Sequence, residues 1–183
     1  MTLEPLPSTF AARDTIVVAK ALLGQLLVHR VNGVAHVGRI VETEAYLGPH
    51  DLACHSSKGR TPRTEVMFGP PGRSYVFLIY GMHHCMNVVT GDGAAVLLRA
   101  VEPVEGHDDG ARGDGPGRLT KLLGITRAQN DWPLDEGPLL LARGVRVRSI
   151  GVSARIGVDY AGRWAKEPLR FFDERSKHVS SSR

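Results

Sequence analysis

The fold is decided by residues 25–46, which read QLLVHRVNGVAHVGRIVETEAY. Residues typical of β-strands fill both halves of this stretch. The pair Asn32-Gly33 between them is the strongest short-range signal for a two-residue β-hairpin. We therefore predict two strands, 25–31 and 34–46, that pair antiparallel across a tight turn.

A helix is predicted before this hairpin, with Asp14 as its N-cap and Gly24 as its stop signal. After it, residues 74–80 and 83–89 are strand-like on either side of a Gly81-Met82 break. They predict a second hairpin.

The next turn, GDG at 91–93, leads into a third strand candidate at 95–101. Consecutive strands with short turns favour antiparallel pairing.

The rest of the chain carries weaker signals. Residues 102–117 are rich in Gly, Asp and Pro and predict a mobile loop. A helix follows, because Pro116 suits a helix start and Leu119, Leu122 and Leu123 have the spacing of a buried helical face. Val145, Val147 and Ile150 suggest further strand, and residues 176–183 are expected to fray. With no repeat and no linker, we predict one domain over residues 1–183.

Composition narrows the classes of protein. The 183 residues include 23 Lys and Arg against 19 Asp and Glu, a formal net charge of +4 that suits a polyanionic partner such as nucleic acid. The start of the chain lacks the pattern of a secretory signal, and no apolar stretch is long enough to span a bilayer. The two cysteines are too few for a disulfide framework. We expect a cytoplasmic protein with reduced thiols, associated with the nucleoid if it is bacterial.

The segment VETEAY at 41–46 is a candidate site. In a strand, Glu42, Glu44 and Tyr46 share one face because side chains alternate. Two carboxylates beside an aromatic ring could form a functional site. Taken alone, however, the segment more often forms a solvated strand face, since charged residues mostly lie on surfaces.

Other candidates have two interpretations each. A lone His55 is more often a surface histidine than a catalytic one. Arg99 is a charge within an apolar strand, so it needs an ion-pair partner or a role in a site. At the bend of the second hairpin, Tyr80 and Met82 could form a wedge or pack under a neighbouring loop.

Basic residues form a last group of candidates. Each could contact phosphate or belong to a solvated basic surface. They are Lys58, Arg60, Arg63, Arg73 and Arg118.

Several of these residues belong to motifs that recur in a fixed order. The motifs are ETEAY (42–46), ACHS (53–56), RTPR (60–63), YGM (80–82), CMN (85–87), GDG (91–93), VLLRA with EP (96–103), GP with Leu119 (115–119), and the stretch from RIG (155–157) to RF (170–171). Together they resemble the alkyladenine (3-methyladenine) DNA glycosylase family. Separated motifs in the right order are far more specific than one short pattern. The resemblance covers nearly the whole chain.

The resemblance implies a fold and an activity. The fold would be a single mixed α+β domain around a curved antiparallel β-sheet, with flanking helices and a protruding hairpin that intercalates into DNA. The activity would be base excision repair of double-stranded DNA by a monomer that needs no cofactor and no metal. The enzyme would flip out damaged purines (3-methyladenine, 7-methylguanine, hypoxanthine or ethenoadenine). It would then hydrolyse the N-glycosidic bond with an activated water, leaving an abasic site.

The resemblance also implies roles for single residues. Glu44 corresponds to the carboxylate that activates the water. Tyr46, His55 and Phe77 would line the base pocket, Asn87 would hinder a normal guanine, and Arg99 would lie beside the active site. Tyr80 corresponds to the intercalating tyrosine, with Met82 beside it, and Arg60, Arg63 and Arg118 are candidate phosphate contacts. Because no lysine lies in the matched catalytic motifs, we expect no cleavage of the DNA strand.

The chain departs from the family at two places. Vertebrate members carry tyrosine where this chain has Phe77, so ring stacking is kept and a hydroxyl is lost. His83-His84 stands in place of a Tyr-Phe pair. Both differences bear on the range of lesions rather than on the chemistry.

Two other classes compete with this interpretation. A zinc-stabilised module could use Cys54, His55, His83, His84 and Cys85, although adjacent residues are poorly spaced for one metal. A non-catalytic nucleic-acid-binding protein could use the basic surface and the hairpin alone.

Overall fold

A computed structural model describes residues 3–180 of the chain. They form one eight-stranded antiparallel sheet, curled into a half-barrel, in a mixed α+β domain. The strands are β1 (Leu26–Val31), β2 (Val34–Tyr46), β3 (Ser74–Ile79), β4 (His83–Gly91), β5 (Ala94–Glu105), β6 (Leu139–Ala142), β7 (Ile150–Ser153) and β8 (Arg170–Asp173). The α-helices of the described residues are α1 (Thr15–Leu22) and α2 (Pro116–Leu122), and short 3-10 turns complete the chain. The strand order is β3-β4-β5-β2-β1-β6, and β8 pairs with both β2 and β7.

The first hairpin has the predicted turn. Asn32 and Gly33 have φ values of 50° and 82°, the left-handed conformations that a two-residue type I′ turn requires. β1 and β2 pair antiparallel from Leu26↔Arg39 to Val31↔Val34. The prediction is confirmed.

Strand β2 is the centre of the sheet. Its first half pairs with β1, its second half with β8, and β5 runs along most of its length with bulges that bend the pair. Residues 42–44 therefore lie in an interior strand. Thr43 donates its hydroxyl proton to the Ala19 carbonyl of α1 at 2.9 Å, so this face of β2 packs on the hydrophobic core. Glu42, Glu44 and Tyr46 lie on the opposite face.

The helices follow their sequence signals. Asp14 caps α1 by accepting hydrogen bonds from the backbone N–H groups of Ile16 and Val17, both at 3.0 Å. Pro116 begins α2, and Leu119 and Leu123 are fully buried against the sheet. Within residues 3–180, no helix is long and apolar enough to cross a membrane.

Several elements differ from the predictions, and strand β8 had no prediction. Strand β5 continues to Glu105, into the segment predicted as a loop, because a bulge beside Gly38 accommodates Pro103 and its missing N–H. Val145 and Val147 lie outside any strand, and only Ile150 begins one. Strand β6 was not predicted, because its four residues are all buried and show no alternation.

Of the segment that we expect to fray, the structure describes residues 176–180, whereas residues 181–183 lie outside the described part of the chain. Ser180 is only 7% exposed. Its N–H donates to Glu42 Oε2 at 2.7 Å and its hydroxyl to Glu42 Oε1 at 2.8 Å. The buried Glu42 carboxylate thus anchors Ser180.

We expect Ser180→Ala to lower the free energy of unfolding by about 1.5–3 kcal/mol, the usual contribution of a hydrogen bond to a charged group. Urea denaturation measures this change. Ser57→Ala is the matched control, because the Ser57 side chain makes no hydrogen bond within residues 3–180. Equal stability of the two variants would show that the Ser180 contact contributes nothing.

Candidate active site

A cavity of about 180 Å³ lies between the β3–β4 hairpin, the chain around His55 and residues 156–160. This volume is far above the roughly 10–15 Å³ that one water needs. The exposed rings of Tyr80 and Tyr160 are part of its lining, so the cavity opens to the surface. Its other lining residues include Tyr46, Cys54, His55, Tyr75, Phe77, Cys85, Asn87, Arg99 and Ile156.

Glu44 lies directly behind this lining. Its side chain is 0% exposed, and three lining residues contact its carboxylate. The Tyr46 hydroxyl donates to Oε2 at 2.8 Å, the Ile156 N–H donates to Oε1 at 2.8 Å, and Arg99 Nη1 lies 3.4 Å from Oε1. The solvated strand face that the segment alone would favour is therefore wrong, because the Ile156 backbone and Ser180 cover the face of β2 that carries Glu44 and Glu42.

Burial sets the ionisation of Glu44. Removal from water raises the pKa of this carboxyl, while Arg99, the Ile156 N–H and the Tyr46 hydroxyl offset part of the rise. The net pKa lies above the ordinary value. A carboxylate with a raised pKa is a stronger proton acceptor, which suits a general base near neutral pH.

Arg99 has the partners that its position in an apolar strand demands. Arg99 Nε donates to Glu42 Oε1 at 3.0 Å, and Arg170 Nε donates to the same oxygen at 2.6 Å. Burial lowers the pKa of Arg99, but Glu44 and Glu42 outweigh this and raise it. The network balances two buried carboxylates against two guanidinium groups. Arg99 is thus a fixed cation beside Glu44.

Three rings form one wall of the cavity. The His55 ring meets Phe77 edge-on, with centroids 4.6 Å apart, and Tyr75 lies 5.3 Å from Phe77. His55 Nδ1 and the Tyr75 hydroxyl are hydrogen-bonded at 2.8 Å. Sequence reasoning missed Tyr75, although it alternates with Phe77 on β3 and so shares its face.

The His55 ring is neutral at physiological pH. Burial, with a contribution from Arg63, lowers its pKa from 6.5 to about 4. The unfolded chain therefore takes up a proton as the pH falls below about 6.5, whereas the folded chain does so only near 4. The contribution of His55 to stability is present above this window and is lost as the pH falls through it.

We expect the imidazole resonances of His55 to titrate near pH 4 in NMR spectra of the folded protein. His55→Gln identifies the resonances by their loss. A titration midpoint at 6.5 or above would contradict the burial of this ring in the cavity wall.

Asn87 is buried at the cavity with a fixed orientation, because its Nδ2 donates to the Tyr75 carbonyl at 3.0 Å.

The thiols of Cys54 and Cys85 are buried nearby, and burial raises the pKa of Cys85 to about 11. A protonated thiol is a poor metal ligand. Among residues 3–180, no three His, Cys, Asp or Glu side chains are grouped to hold a metal ion.

The tip of the β3–β4 hairpin carries two exposed apolar side chains. Tyr80 is 85% exposed and Met82 is 69% exposed, so neither packs under a neighbouring loop. Tyr80 has a φ of 53°, a conformation that a bulky residue adopts only at a cost of order 1–3 kcal/mol. Such strain is concentrated at functional positions.

The three candidate phosphate contacts differ in their present partners. Arg60 pairs with Glu65 at 2.9 Å and Arg118 pairs with Asp114 at 3.2 Å. Arg63 has no carboxylate partner within residues 3–180, and its guanidinium lies 5.2 Å from the centre of the Phe77 ring.

Two contributors on residues 155–160 were missed as site residues. The Ile156 N–H is a backbone donor, so its side chain gives no signal, and only the resemblance of the RIG motif marks the position. Tyr160 anchors its hydroxyl on the Ala53 carbonyl at 3.3 Å and leaves its ring at the cavity mouth.

The fold and the site together define a single-domain α+β protein with a ring-lined cavity in front of a buried, hydrogen-bonded carboxylate. The model of the methylpurine-DNA glycosylase family matches residues 9–177. The chain belongs to this family.

Curated relatives agree over almost the full length. A Myxococcus xanthus protein named "Putative 3-methyladenine DNA glycosylase" is 62% identical over 180 residues, 96% of this chain and 93% of that protein. A Legionella pneumophila (strain Corby) protein of the same name is 49% identical, with 98% of this chain and 100% of the relative covered. A third, from Methanocella arvoryzae, is 47% identical over 96% of this chain and 95% of its own length.

Proposed function

We propose that the protein is a monofunctional DNA glycosylase that removes damaged purines from double-stranded DNA. The observation that carries this proposal is the buried Glu44 carboxylate, hydrogen-bonded to Tyr46 and Ile156 at the wall of a ring-lined cavity. The family and the names of its relatives support the class of reaction.

In this proposal the everted base enters the cavity and is held by Tyr46, His55 and Phe77. Aromatic faces suit a planar base, and they attract the positive charge of an alkylated purine. A neutral His55 adds no repulsion to a cationic base. In this proposal Asn87, which lines the cavity, hinders the exocyclic amino group of a normal guanine and so disfavours undamaged guanine.

Glu44 then accepts a proton from the water that attacks the anomeric carbon, and its charge stabilises the oxocarbenium character of the transition state. The Tyr46 hydroxyl donates to Glu44 Oε2 in the structure, and in this proposal the attacking water takes its place. Arg99 favours the ionised form of Glu44. A cationic purine such as 3-methyladenine or 7-methylguanine leaves readily, whereas hypoxanthine and ethenoadenine need more assistance.

The hairpin tip supplies the DNA-opening step. Tyr80 enters the duplex through the minor groove and fills the gap left by the base, with Met82 beside it. A wedge of this kind offsets part of the few kcal/mol that unstacking costs. Arg63, which has no carboxylate partner among the described residues, is the readiest phosphate contact, while Arg60 and Arg118 would exchange their carboxylate partners for phosphates.

The reaction ends at an abasic site with the strand intact. Strand cleavage by a glycosylase requires an amine that forms a Schiff base with the sugar. No lysine lines the cavity within the described residues. We expect a monomer to act alone in this step of base excision repair.

Release of free base tests the proposal. Duplexes carrying a single 7-methylguanine, hypoxanthine or ethenoadenine, with an undamaged duplex as control, are incubated with the protein, and free base and strand breaks are measured separately. We expect free base from damaged duplexes and intact strands. Binding without release from any duplex would identify a non-catalytic DNA-binding protein, and strand breaks formed along with the base would overturn the monofunctional assignment.

A further inference from the structure

A buried ion pair lies outside the cavity lining but close to Glu44. Asp51 and Arg155 have side chains that are both 0% exposed. Their two hydrogen bonds measure 2.5 Å and 2.9 Å, a bidentate arrangement. Asp51 is itself held by the backbone N–H groups of Leu47 and Ala53 at 3.1 Å and 3.0 Å. The pair joins two segments 104 residues apart in the chain.

The contacts of Arg155 converge on the catalytic strand. Arg155 Nη1 donates to the carbonyl of Ala45, the residue between Glu44 and Tyr46, at 2.9 Å. Its guanidinium lies 4.7 Å from the centre of the Tyr46 ring. The residue that follows it, Ile156, donates its N–H to Glu44 Oε1 at 2.8 Å. The Arg155 side chain thus contacts Ala45 and Tyr46 directly, and its backbone is joined to the Ile156 donor.

Stabilisation of the fold does not by itself explain why this buried ion pair is present. Burial removes both charges from water, and apolar residues of similar volume often replace a buried ion pair without loss of stability. The Arg155 Nε also has no hydrogen-bond partner in the described structure, a further cost of burial. The three contacts to the Glu44 region supply a reason of another kind.

We propose that Asp51 and Arg155 form a clamp that positions the Glu44 carboxylate and the Tyr46 ring for base excision. Both are positioning residues, since neither lines the cavity. The inference rests on the proposed function and adds to it two residues that act through Glu44.

The clamp has a consequence for the ionisation of Glu44. Its carboxylate is faced by Tyr46 and Glu42 on its own strand, by Arg99 on β5, by Cys85 on β4, and by Ile156, Arg155 and Tyr160 on the 155–160 segment. The Ile156 N–H stabilises the charged form. Without the clamp this donor moves away, and the pKa of Glu44 rises further.

The double variant Asp51→Leu with Arg155→Met tests the clamp. It removes both charges together, so the net charge near Glu44 is unchanged and no buried charge is left unpaired. The ionisation of the Glu44 carboxyl is followed by 13C NMR in the free protein, with Glu44→Gln to identify the signal. The pH dependence of single-turnover excision is measured in parallel.

We expect the Glu44 carboxyl of the double variant to titrate at higher pH than that of the wild type. The acidic limb of its pH–rate profile should shift to higher pH by the same amount. Excision at neutral pH should fall about 10- to 100-fold, the effect of a small misplacement in an active site. Arg39→Met is the control. It breaks a partly exposed ion pair with Glu102 and Asp173, outside the cavity lining, and should leave both the Glu44 titration and the pH–rate profile unchanged.

Arg155→Lys is the second variant in case the double variant does not fold. Lysine keeps the charge but loses the bidentate contact and the planar stacking on Tyr46, so the same upward shift is expected. An unchanged Glu44 titration in a folded clamp variant would overturn the clamp while the wild-type activity stands. A shifted titration without base release by the wild type would instead refute the proposed function and leave the clamp intact.

Discussion

Glu44→Gln is expected to lower the single-turnover rate of base excision by about 10²- to 10⁴-fold, the range for removal of a general base. The amide has the shape of the carboxylate and can still accept a hydrogen bond, so the cavity and the binding of damaged DNA should be kept. It cannot accept the proton of the attacking water. Free-base release and the affinity for lesion duplexes measure the two properties separately.

Glu136→Gln is the matched control, because Glu136 is exposed and outside the cavity lining. It should excise at the wild-type rate. Full excision by Glu44→Gln would remove the proposed base from the mechanism, and equal losses in the two variants would point to an unspecific effect of charge.

Tyr80→Ala is expected to weaken capture of damaged bases in duplex DNA by about 10- to 100-fold, because the wedge no longer offsets unstacking worth a few kcal/mol. Single strands need no unpairing, so excision from a lesion-bearing single strand should change little. Excision rates at limiting protein concentration on matched single and double strands measure the difference.

Val145→Ala serves as the control for loss of an exposed apolar side chain away from the cavity. It should leave both substrates unaffected. Losses of the same size on single and double strands in Tyr80→Ala would show that Tyr80 contacts the base or the backbone and does not act as a wedge.

Local chemistry explains which parts of the fold could be predicted. The Asn32-Gly33 turn and the Asp14 cap are decided by neighbouring residues, and both were predicted correctly. Strand β6 has four buried residues, so it lacks the alternation that identifies a half-buried strand. The anchoring of Ser180 depends on Glu42, a partner 138 residues away, and no local pattern reports such a contact.

In the candidate site, too, features decided by neighbouring residues could be predicted and those that depend on distant partners could not. Alternation correctly put Glu42 and Glu44 on one face of β2, but their burial follows from contacts with Ser180 and Ile156, which are more than 100 residues away in the chain. The roles of Glu44 and Tyr80 came from the resemblance to a family, not from periodicity. The backbone donor at Ile156 has no side-chain signature at all.

The most direct test of the central claim is a crystal structure of Glu44→Gln bound to a duplex that carries ethenoadenine. We predict that the damaged base lies in the cavity among Tyr46, His55 and Phe77, with the anomeric carbon of its sugar facing the side chain at position 44 and Tyr80 in the vacated space. A complex in which the lesion stays stacked in the duplex, or in which the sugar lies out of reach of position 44, would contradict it.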